Sequence, residues 1–357
     1  MRVLVVKLSA FGDLIHSLPA LDDLLRWPGI REVHWLVDER YRFVTEVFPR
    51  GVHVHSVALK GRHPVRSAWH TIRDLRRLRF DALLDLQGLI KSAVLARACG
   101  SPVYGIDRSH LREKASGLLV RPVPFHPDER HVVQQYRRVA TAVVGERAYG
   151  DSPLPYQAPH IDLAQTACVE DPDLATRLGL TEKGYVVLHA AGGWETKQLP
   201  DATWLAVART LPGATVPVFT WGNEKERALA RSLAAACDGL ALPERLGMSA
   251  LCALLMRAHA VVGADTGLLH LAAALGTPTV SFWGPSASWR SAPLGERDWQ
   301  IESNPDCGPC FQRTCDHFIC MDAIRPEAIA QALHALWTAG QPSSDPMPAR
   351  DQRAFRQ

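Results

Sequence analysis

Two short segments combine glycine with an aspartate directly after an apolar run, a pattern typical of phosphate binding. They are Lys7–Asp13 (KLSAFGD), which follows RVLVV, and Gly263–His270 (GADTGLLH), which follows AVV. A further apolar run follows each, so both segments predict a strand, a turn and a helix. Such a turn exposes backbone N–H groups at a helix N-terminus, where phosphate binds readily. One turn in each half indicates two nucleotide-fold domains facing a central cleft.

Asp13 has two interpretations that the residues alone leave open. A carboxylate beside a bound substrate can take the proton of an attacking hydroxyl as a general base. A carboxylate at the start of an apolar helical run is also a favoured helix N-cap.

The triplet Asp265-Thr266-Gly267 also occurs in aspartic proteases, where it needs a β-rich setting and a second such aspartate. Here it opens a helix in an alternating α/β pattern, which disfavours that interpretation. A dehydrogenase is disfavoured as well, because no G-x-G-x-x-G sequence opens either half.

Half of the eight cysteines fall in one short segment with the pattern C-x2-C-x4-C-x4-C, namely Cys307, Cys310, Cys315 and Cys320. Four close thiolates predict a structural zinc or iron site, in which His317 could replace one thiol. Free thiols and disulfides remain alternatives. The pattern does not indicate a catalytic metal.

Charge is unevenly distributed along the 357 residues. The net charge is +3, but residues 1–150 carry 24 Lys and Arg against 15 Asp and Glu, and the remainder carries 16 against 22. The basic half favours an anionic partner or a solvated helix face. Nucleic acid is not expected, because basic and aromatic residues do not alternate in any recognised motif. No signal peptide or apolar segment of membrane-spanning length is apparent, so a cytoplasmic protein is expected.

Strand-like and helix-like runs alternate in both halves, which predicts α/β domains with parallel sheets. The predicted strands are Val3–Val6, Glu32–Val37, His53–Val57, Ala82–Leu86, Val103–Gly105, Tyr185–His189, Val216–Thr220, Ala260–Val262 and Thr279–Phe282. The predicted helices are Leu14–Leu25, Tyr41–Val47, Ala68–Leu78, Leu89–Ala98, Asp201–Thr210, Glu224–Cys237, Ser249–Arg257, Leu268–Leu275 and Arg325–Ala339. A proline-rich connector near residues 150–172 separates domains predicted at 1–160 and 161–340, and 341–357 is predicted to be a disordered tail.

Five collinear segments carry a family resemblance: the opening MRVLVVKLSAFGDLIHSLPAL, DLQGLIKSA, the Lys197 loop, FTWGNEKER and GADTGLLHLAAALGTPTVSFWGPS. With them the chain resembles the ADP-heptose:lipopolysaccharide heptosyltransferases of glycosyltransferase family 9. DLQGLIKSA and the Arg112-Glu113 segment are most similar to the heptosyltransferase I subgroup, which adds the first heptose to Kdo on lipid A. The resemblance implies a GT-B fold with two Rossmann-like, doubly wound domains and an inverting transfer of L-glycero-D-manno-heptose from ADP-heptose.

The resemblance also implies site residues. Asp13 would be the general base, and Lys197 would stabilise the departing diphosphate. The donor would contact Gly192, Gly193, Glu224, Asp265, Thr266, Gly267, Leu268 and His270. The acceptor, Kdo-lipid A, would meet a basic set on the N-terminal domain: Lys60, Arg62, Arg66, Lys91 and Arg112. Each of these residues also has a simpler interpretation without a role in the reaction: an exposed loop lysine, a carboxylate at the start of a helix, or a histidine of the core.

The chain departs from the subgroup pattern at two points: Gly192 and Gly193 stand where hydroxyl residues are common, and Leu199 stands where tryptophan is usual. Lipid A core enzymes often lack the cysteine segment, whereas some protein-modifying heptosyltransferases carry a similar one. A protein acceptor or a different core sugar is therefore the alternative reaction, and a non-enzymatic assembly scaffold is a further one. The predicted location is the cytoplasmic face of the inner membrane, as a peripheral protein.

Overall fold

The structure is a computed structural model that describes residues 1–144, 152–169 and 171–339. The chain forms two compact units, each built on its own parallel sheet. The first comprises Met1–Glu170, Gly247–Ser249 and Trp289–Ser291, and the second comprises Asp171–Leu246, Ala250–Ser288 and Ala292–Gln357. The predicted disordered tail, 341–357, lies outside the described residues.

The first sheet has the hydrogen-bonded order β3-β2-β1-β4-β5-β6. Its strands are β1 (Arg2–Val6), β2 (Glu32–Asp38), β3 (Val52–Val57), β4 (Ala82–Asp85), β5 (Val103–Gly105) and β6 (Arg121–Pro122). The α-helices of this part are α1 (Phe11–His16), α2 (Leu18–Arg26), α3 (Pro64–Arg77), α4 (Ile90–Ala98) and α5 (Val132–Val144). Shorter 3-10 helices cover Glu39–Val47, Arg108–His110, Lys114–Leu118 and Leu163–Gln165.

The second sheet has the order β12-β11-β10-β7-β8-β9. Its strands are β7 (Tyr185–His189), β8 (Val216–Phe219), β9 (Leu240–Ala241), β10 (Ala260–Ala264), β11 (Thr279–Trp283) and β12 (Asp298–Glu302). From Asp171 onward the α-helices are α6 (Leu174–Arg177), α7 (Asp201–Arg209), α8 (Glu224–Ala236), α9 (Met248–Arg257), α10 (Gly267–Ala274), α11 (Ser288–Ser291), α12 (Ile319–Asp322) and α13 (Pro326–Ala339). A 3-10 helix covers Glu195–Lys197.

The central strands are apolar along their length because each sheet is covered on both faces. In β1 the residues from Val3 to Val6 have no exposed surface, and Leu4 and Val6 pack in a core with Leu36 and Leu83. The nine predicted strands are confirmed, with ends that differ by at most two residues. The strands β6 and β9 were missed because each has only two residues, and β12 was missed because its sequence is half polar.

The helix predictions are also largely confirmed, but the four-residue helices α6, α11 and α12 were not predicted, and three larger differences remain. The single helix predicted over Leu14–Leu25 is two helices, separated at Ser17. The segment predicted as Tyr41–Val47 is a 3-10 helix rather than an α-helix. Helix α5 was missed, although its buried residues recur with helical spacing: Val132, Val133, Tyr136, Val139 and Ala140.

Both sheets reverse their strand order at an equivalent point. In the first, the chain moves outward from β1 to β3 and then returns to place β4 beside β1; in the second, β10 returns beside β7. Ligands of open α/β sheets bind outside the carboxyl ends of the strands at such a reversal. The turns after β1 and β10 and the loop after β7 therefore start at the positions that favour binding. Among the described residues, no helix is both long enough and apolar enough to cross a membrane.

Candidate active site

Asp13 lies in the first turn of α1, directly beyond the carboxyl end of β1. Its Oδ2 atom accepts a hydrogen bond from the Ala10 backbone N–H at 3.3 Å, so the helix-capping interpretation is met in part. Its side chain nevertheless keeps 32% of its surface exposed. The carboxylate is therefore oriented by the turn and still reachable by a substrate hydroxyl.

A buried lysine and a buried tyrosine contact the same carboxylate. The Lys7 ammonium donates to the Tyr136 hydroxyl at 2.7 Å and lies 3.5 Å from Asp13 Oδ2. The Tyr136 hydroxyl donates to Asp13 Oδ1 at 3.2 Å. These three side chains form one connected network, named here the Asp13 network, in which both carboxylate oxygens have a partner.

Electrostatics in the Asp13 network favour the ionised carboxylate. Burial raises the pKa of Asp13, but the charges of Lys7 and Arg290 and the hydrogen bonds lower it by more, so its pKa lies below the ordinary value. Burial lowers the pKa of Lys7 despite the nearby carboxylate. Burial and the negative charge of Asp13 raise the pKa of Tyr136 well above its usual value. Tyr136 therefore remains a neutral hydrogen-bond donor.

Sequence reasoning missed both Lys7 and Tyr136. A lysine that ends an otherwise apolar, strand-like run was a usable signal, because a buried lysine almost always has a partner. Tyr136 offered a signal only through the helical spacing of α5, which places it on the buried face.

The motif DLQGLIKSA has a positioning role in the first unit. Gln87 Oε1 accepts hydrogen bonds from the backbone N–H groups of Leu8 and Ser9, each at 3.0 Å. Buried Asp85 accepts from the Gln87 N–H at 2.9 Å and from the Ser92 hydroxyl at 3.1 Å. Burial raises the pKa of Asp85 to about 6, despite these hydrogen bonds. The motif thus connects the end of β4 to the turn that carries Asp13.

In the second unit the structure brings together three predicted residues. Lys197 Nζ lies 2.6 Å from Asp265 Oδ2 and donates to the Asp265 carbonyl at 3.0 Å. His270 Nε2 lies 2.9 Å from Asp265 Oδ1. Burial raises the pKa of Asp265, but His270 and Lys197 lower it by more, so that the net pKa is far below its usual range. Asp265 is therefore an anion that holds both neighbours.

The surroundings of Lys197 explain how a buried cation is accommodated. The ammonium lies 4.3 Å from the centroid of the Trp194 ring, a cation–π contact. A Cβ at Gly192 would lie 3.3 Å from Lys197 Cβ, whereas Gly193 faces open space. Gly192 therefore permits the close approach of this loop to the lysine.

The start of α10 presents backbone donors at the same turn. Thr266 is the residue before the helix, and Gly267 and Leu268 are its first two residues. The N–H groups of a first helical turn have no partner within the helix and attract anions. The Thr266 hydroxyl is buried without a hydrogen-bond partner, so the turn also offers an unused polar group.

Glu224 and the basic set lie apart from these contacts. The Glu224 side chain is 79% exposed and pairs with Arg227 on its own helix at 3.3 Å. The basic residues are exposed and follow the carboxyl ends of β3, β4 and β5: Lys60, Arg62, Arg66, Lys91 and Arg112. Their positions share the sheet edge of Asp13, since all strands are parallel.

The cysteine segment contains four free thiols in the structure. Cys307 and Cys315 are exposed, Cys310 is partly exposed and Cys320 is buried. Burial and the neighbouring thiols of Cys310 and Cys307 raise the pKa of Cys320. Cys315 Sγ accepts a hydrogen bond from the Phe318 backbone N–H at 3.3 Å.

Two doubly wound parallel sheets, each with polar turns beyond the strands at its point of reversal, are the architecture of the GT-B fold, which many glycosyltransferases have. The chain belongs to glycosyltransferase family 9 (heptosyltransferase), whose family model matches residues 68–318. It is therefore an enzyme of glycosyl transfer.

Individual relatives agree with this assignment. The chain is 32% identical to lipopolysaccharide heptosyltransferase 1 of Pseudomonas aeruginosa, over 95% of this chain and 99% of the relative. It is 30% identical to lipopolysaccharide heptosyltransferase 1 of Salmonella typhimurium, over 80% and 89%. The solved structure of the E. coli heptosyltransferase WaaC with ADP-2-deoxy-2-fluoro heptose is similar with a TM-score of 0.71 and 25% identity, over 94% and 99% of the two chains.

Proposed function

We propose that this enzyme transfers L-glycero-D-manno-heptose from ADP-heptose to Kdo of the lipopolysaccharide inner core, with inversion at the anomeric carbon. The observation that carries the proposal is the Asp13 network, in a chain whose relatives are named lipopolysaccharide heptosyltransferase 1. The acceptor would bind the N-terminal domain (1–160), and ADP-heptose would bind the C-terminal domain (161–340).

In the proposed reaction an acceptor hydroxyl of Kdo attacks the anomeric carbon of the donor heptose. Asp13 takes the hydroxyl proton as the new carbon–oxygen bond forms. The bond between the anomeric carbon and the diphosphate oxygen breaks, and its electron pair leaves with ADP. Because Asp13 has a low pKa, it is a weak base, so proton transfer is expected late, when the attacking oxygen has become acidic.

Positive charge at the turn after β10 would stabilise the departing ADP. Lys197 and the N–H groups of Gly267 and Leu268 are fixed before the reaction, which is the condition under which such groups are most effective. Asp265 and His270 would hold Lys197 and contact the sugar hydroxyls, and Glu224 would contact the ribose. These protein groups supply the charge that a divalent cation would otherwise provide, so we propose no catalytic metal.

The cysteine segment is proposed as a structural zinc or iron site. Cys310 and Cys307 lie near enough to Cys320 to raise the pKa of its thiol, and thiolates are the ligands that both metals accept in tetrahedral sites. The segment would stabilise the fold, and no reaction step requires it.

Association with an anionic membrane surface is proposed for helix α3. Val65 and Trp69 lie one turn apart on this helix and are 82% and 58% exposed. The Arg73 guanidinium lies 5.2 Å from the centroid of the Trp69 ring. Exposed apolar and cationic side chains on one helix are typical of segments that lie in the membrane interface. The enzyme would thereby reach a lipid-anchored acceptor from the cytoplasmic face.

The reaction is tested by ADP release from ADP-heptose with different acceptors. We expect release that depends on Kdo-lipid A, together with a product heavier by one heptose. Release with a protein acceptor alone would move the function to protein glycosylation. Release with a different core sugar alone would change the acceptor, and no release with any acceptor would contradict heptose transfer.

The membrane role is tested with two matched valines. Val65→Glu on α3 is expected to weaken binding to vesicles with anionic lipids about fivefold, because one charge near the surface is worth about 1 kcal/mol and the added carboxylate is repelled. Val169→Glu is the control, since Val169 is also exposed, at 75%, but lies outside α3. Cosedimentation with vesicles measures both. Equal binding of the two variants would refute the role of α3.

A further inference from the structure

One face of the first sheet carries four titratable side chains that the proposed reaction does not use. Glu32 and His34 alternate along β2, and His53 and His55 alternate along β3, so each pair faces one side of the sheet. His34 pairs with His53 across the two parallel strands. Because Glu32 begins β2, the cluster lies toward the opposite end of the strands from Asp13.

The cluster is connected around buried His34. His34 Nε2 lies 3.2 Å from Glu32 Oε2, and His34 Nδ1 lies 2.9 Å from His55 Nε2. The rings of His34 and His53 stack with their centroids 4.6 Å apart. One potential ligand atom from each of Glu32, His34 and His53 lies within 4.8 Å of the other two.

We propose that Glu32, His34 and His53 bind a divalent transition-metal ion of the Zn²⁺ type. Two imidazoles and one carboxylate are a ligand set that zinc accepts, with a fourth position left for water. Ligand atoms around a tetrahedral zinc ion lie roughly 3.3 Å apart, given bonds of about 2.0 Å. His34 Nε2 and Glu32 Oε2 already lie 3.2 Å apart. The ligand atom of His53 is therefore the one that needs to move inward, which its exposed ring permits by turning away from its stacking on His34.

His55 is placed to orient the central ligand. The planes of the His34 and His55 rings are 10° apart, with centroids 5.2 Å apart, so their hydrogen bond runs nearly within both planes. If His34 Nδ1–H donates to His55 Nε2, the lone pair of His34 Nε2 is left to the metal. A hydrogen bond on the second nitrogen of a ligating histidine fixes its tautomer in this way. His55 is thus a positioning residue.

Arg2 orients the carboxylate and limits the affinity. Its Nε donates to Glu32 Oε2 at 2.6 Å and its Nη2 to Glu32 Oε1 at 2.7 Å. Each carboxylate oxygen has a further lone pair for a metal ion. The guanidinium charge opposes a second cation, so we expect weaker binding than at a site without it. The bound ion would join edge strand β3 to β2 and stabilise the folded state by linkage.

The test uses Co²⁺ titration of the full chain after removal of metal with EDTA. Cobalt bound by thiolates gives sulfur-to-metal charge-transfer absorption, whereas a site of nitrogen and oxygen ligands does not, so the cysteine segment is counted separately. We expect His53→Ala to lose one equivalent of bound Co²⁺ and to keep any thiolate band. His53 is exposed, so this substitution should leave the fold intact.

Two further variants make the test specific. His334→Ala, at an exposed position of α13, is the matched control and is expected to bind as the unchanged chain does. His55→Ala is expected to weaken binding about 10- to 100-fold without changing the stoichiometry, as for the loss of a residue that orients a ligand. Addition of Zn²⁺ should raise the Tm of the unchanged chain more than that of His53→Ala. Equal Co²⁺ stoichiometry and affinity for His53→Ala and the unchanged chain would overturn the proposal.

Discussion

Asp13→Asn is expected to reduce the rate of heptose transfer by about 10²- to 10⁴-fold, the usual contribution of a positioned general base. Asparagine keeps the size of the side chain, and its single oxygen can accept one of the two hydrogen bonds, which come from the Ala10 N–H and the Tyr136 hydroxyl to different carboxylate oxygens. It cannot take the acceptor proton. Donor binding should be largely retained, because the proposed donor contacts lie in the other unit. Steady-state kinetics with Kdo-lipid A, and calorimetry with ADP, measure the two quantities.

Two controls separate catalysis from folding for Asp13. Asp22→Asn changes a partly exposed carboxylate of α2 that pairs with Arg26, and it should leave the rate nearly unchanged. Tyr136→Phe removes one hydrogen bond and should cause a smaller loss than Asp13→Asn. Because the pKa of Asp13 lies below its ordinary value near 4, its protonation should not reduce activity until the pH falls below about 4. Near-normal turnover by Asp13→Asn would exclude the proposed role.

Lys197→Met is expected to lower the transfer rate by about 10²- to 10³-fold, comparable to the loss of one fixed donor to a developing anion. Methionine approximates the length of the lysine side chain but carries no charge to stabilise ADP as it leaves. The exposed Lys225, on α8, provides the matched control as Lys225→Met. Single-turnover kinetics and the affinity for ADP would show how the loss divides between chemistry and binding.

Removal of Lys197 also leaves Asp265 as a buried anion with one partner fewer, which is itself destabilising. The double variant Lys197→Met with Asp265→Asn addresses this, because neither half of the ion pair remains. It should recover thermal stability relative to the single variant and remain inactive. Recovery of activity together with stability would mean that Lys197 acts only through the fold.

The apolar patterns predicted the fold well because the strands of a parallel sheet are buried on both faces. β1, β7, β10 and β11 read directly as apolar runs between turns. β12 failed as a prediction because its sequence, DWQIE, is half polar and lies at an edge. Helix α5 was not predicted, although its buried residues recur with helical spacing.

The candidate site was predictable where one turn contains the whole signal, and not where partners come from distant segments. Asp265 and His270 lie in one motif, just before the cap of α10 and in its first turn, so their contact is local. Lys197 is 68 residues from Asp265 in sequence, and only the adjacency of β7 and β10 brings them together. Tyr136 is 123 residues from Asp13, and no local pattern joins them.

The hydrogen bonds of Gln87 help to keep the carboxylate of the proposed base, Asp13, in a fixed orientation. One amide oxygen at the end of β4 accepts from two successive peptide groups at the end of β1, so the turn is anchored to a neighbouring strand as well as to its own helix. Lys91, a member of the basic set, lies only a few residues after Gln87 in the sequence. If an acceptor phosphate bound at the start of α4, the Gln87 hydrogen bonds would resist a shift of the turn that carries Asp13. The Asp13 carboxylate would therefore keep its orientation while the surrounding side chains adjust.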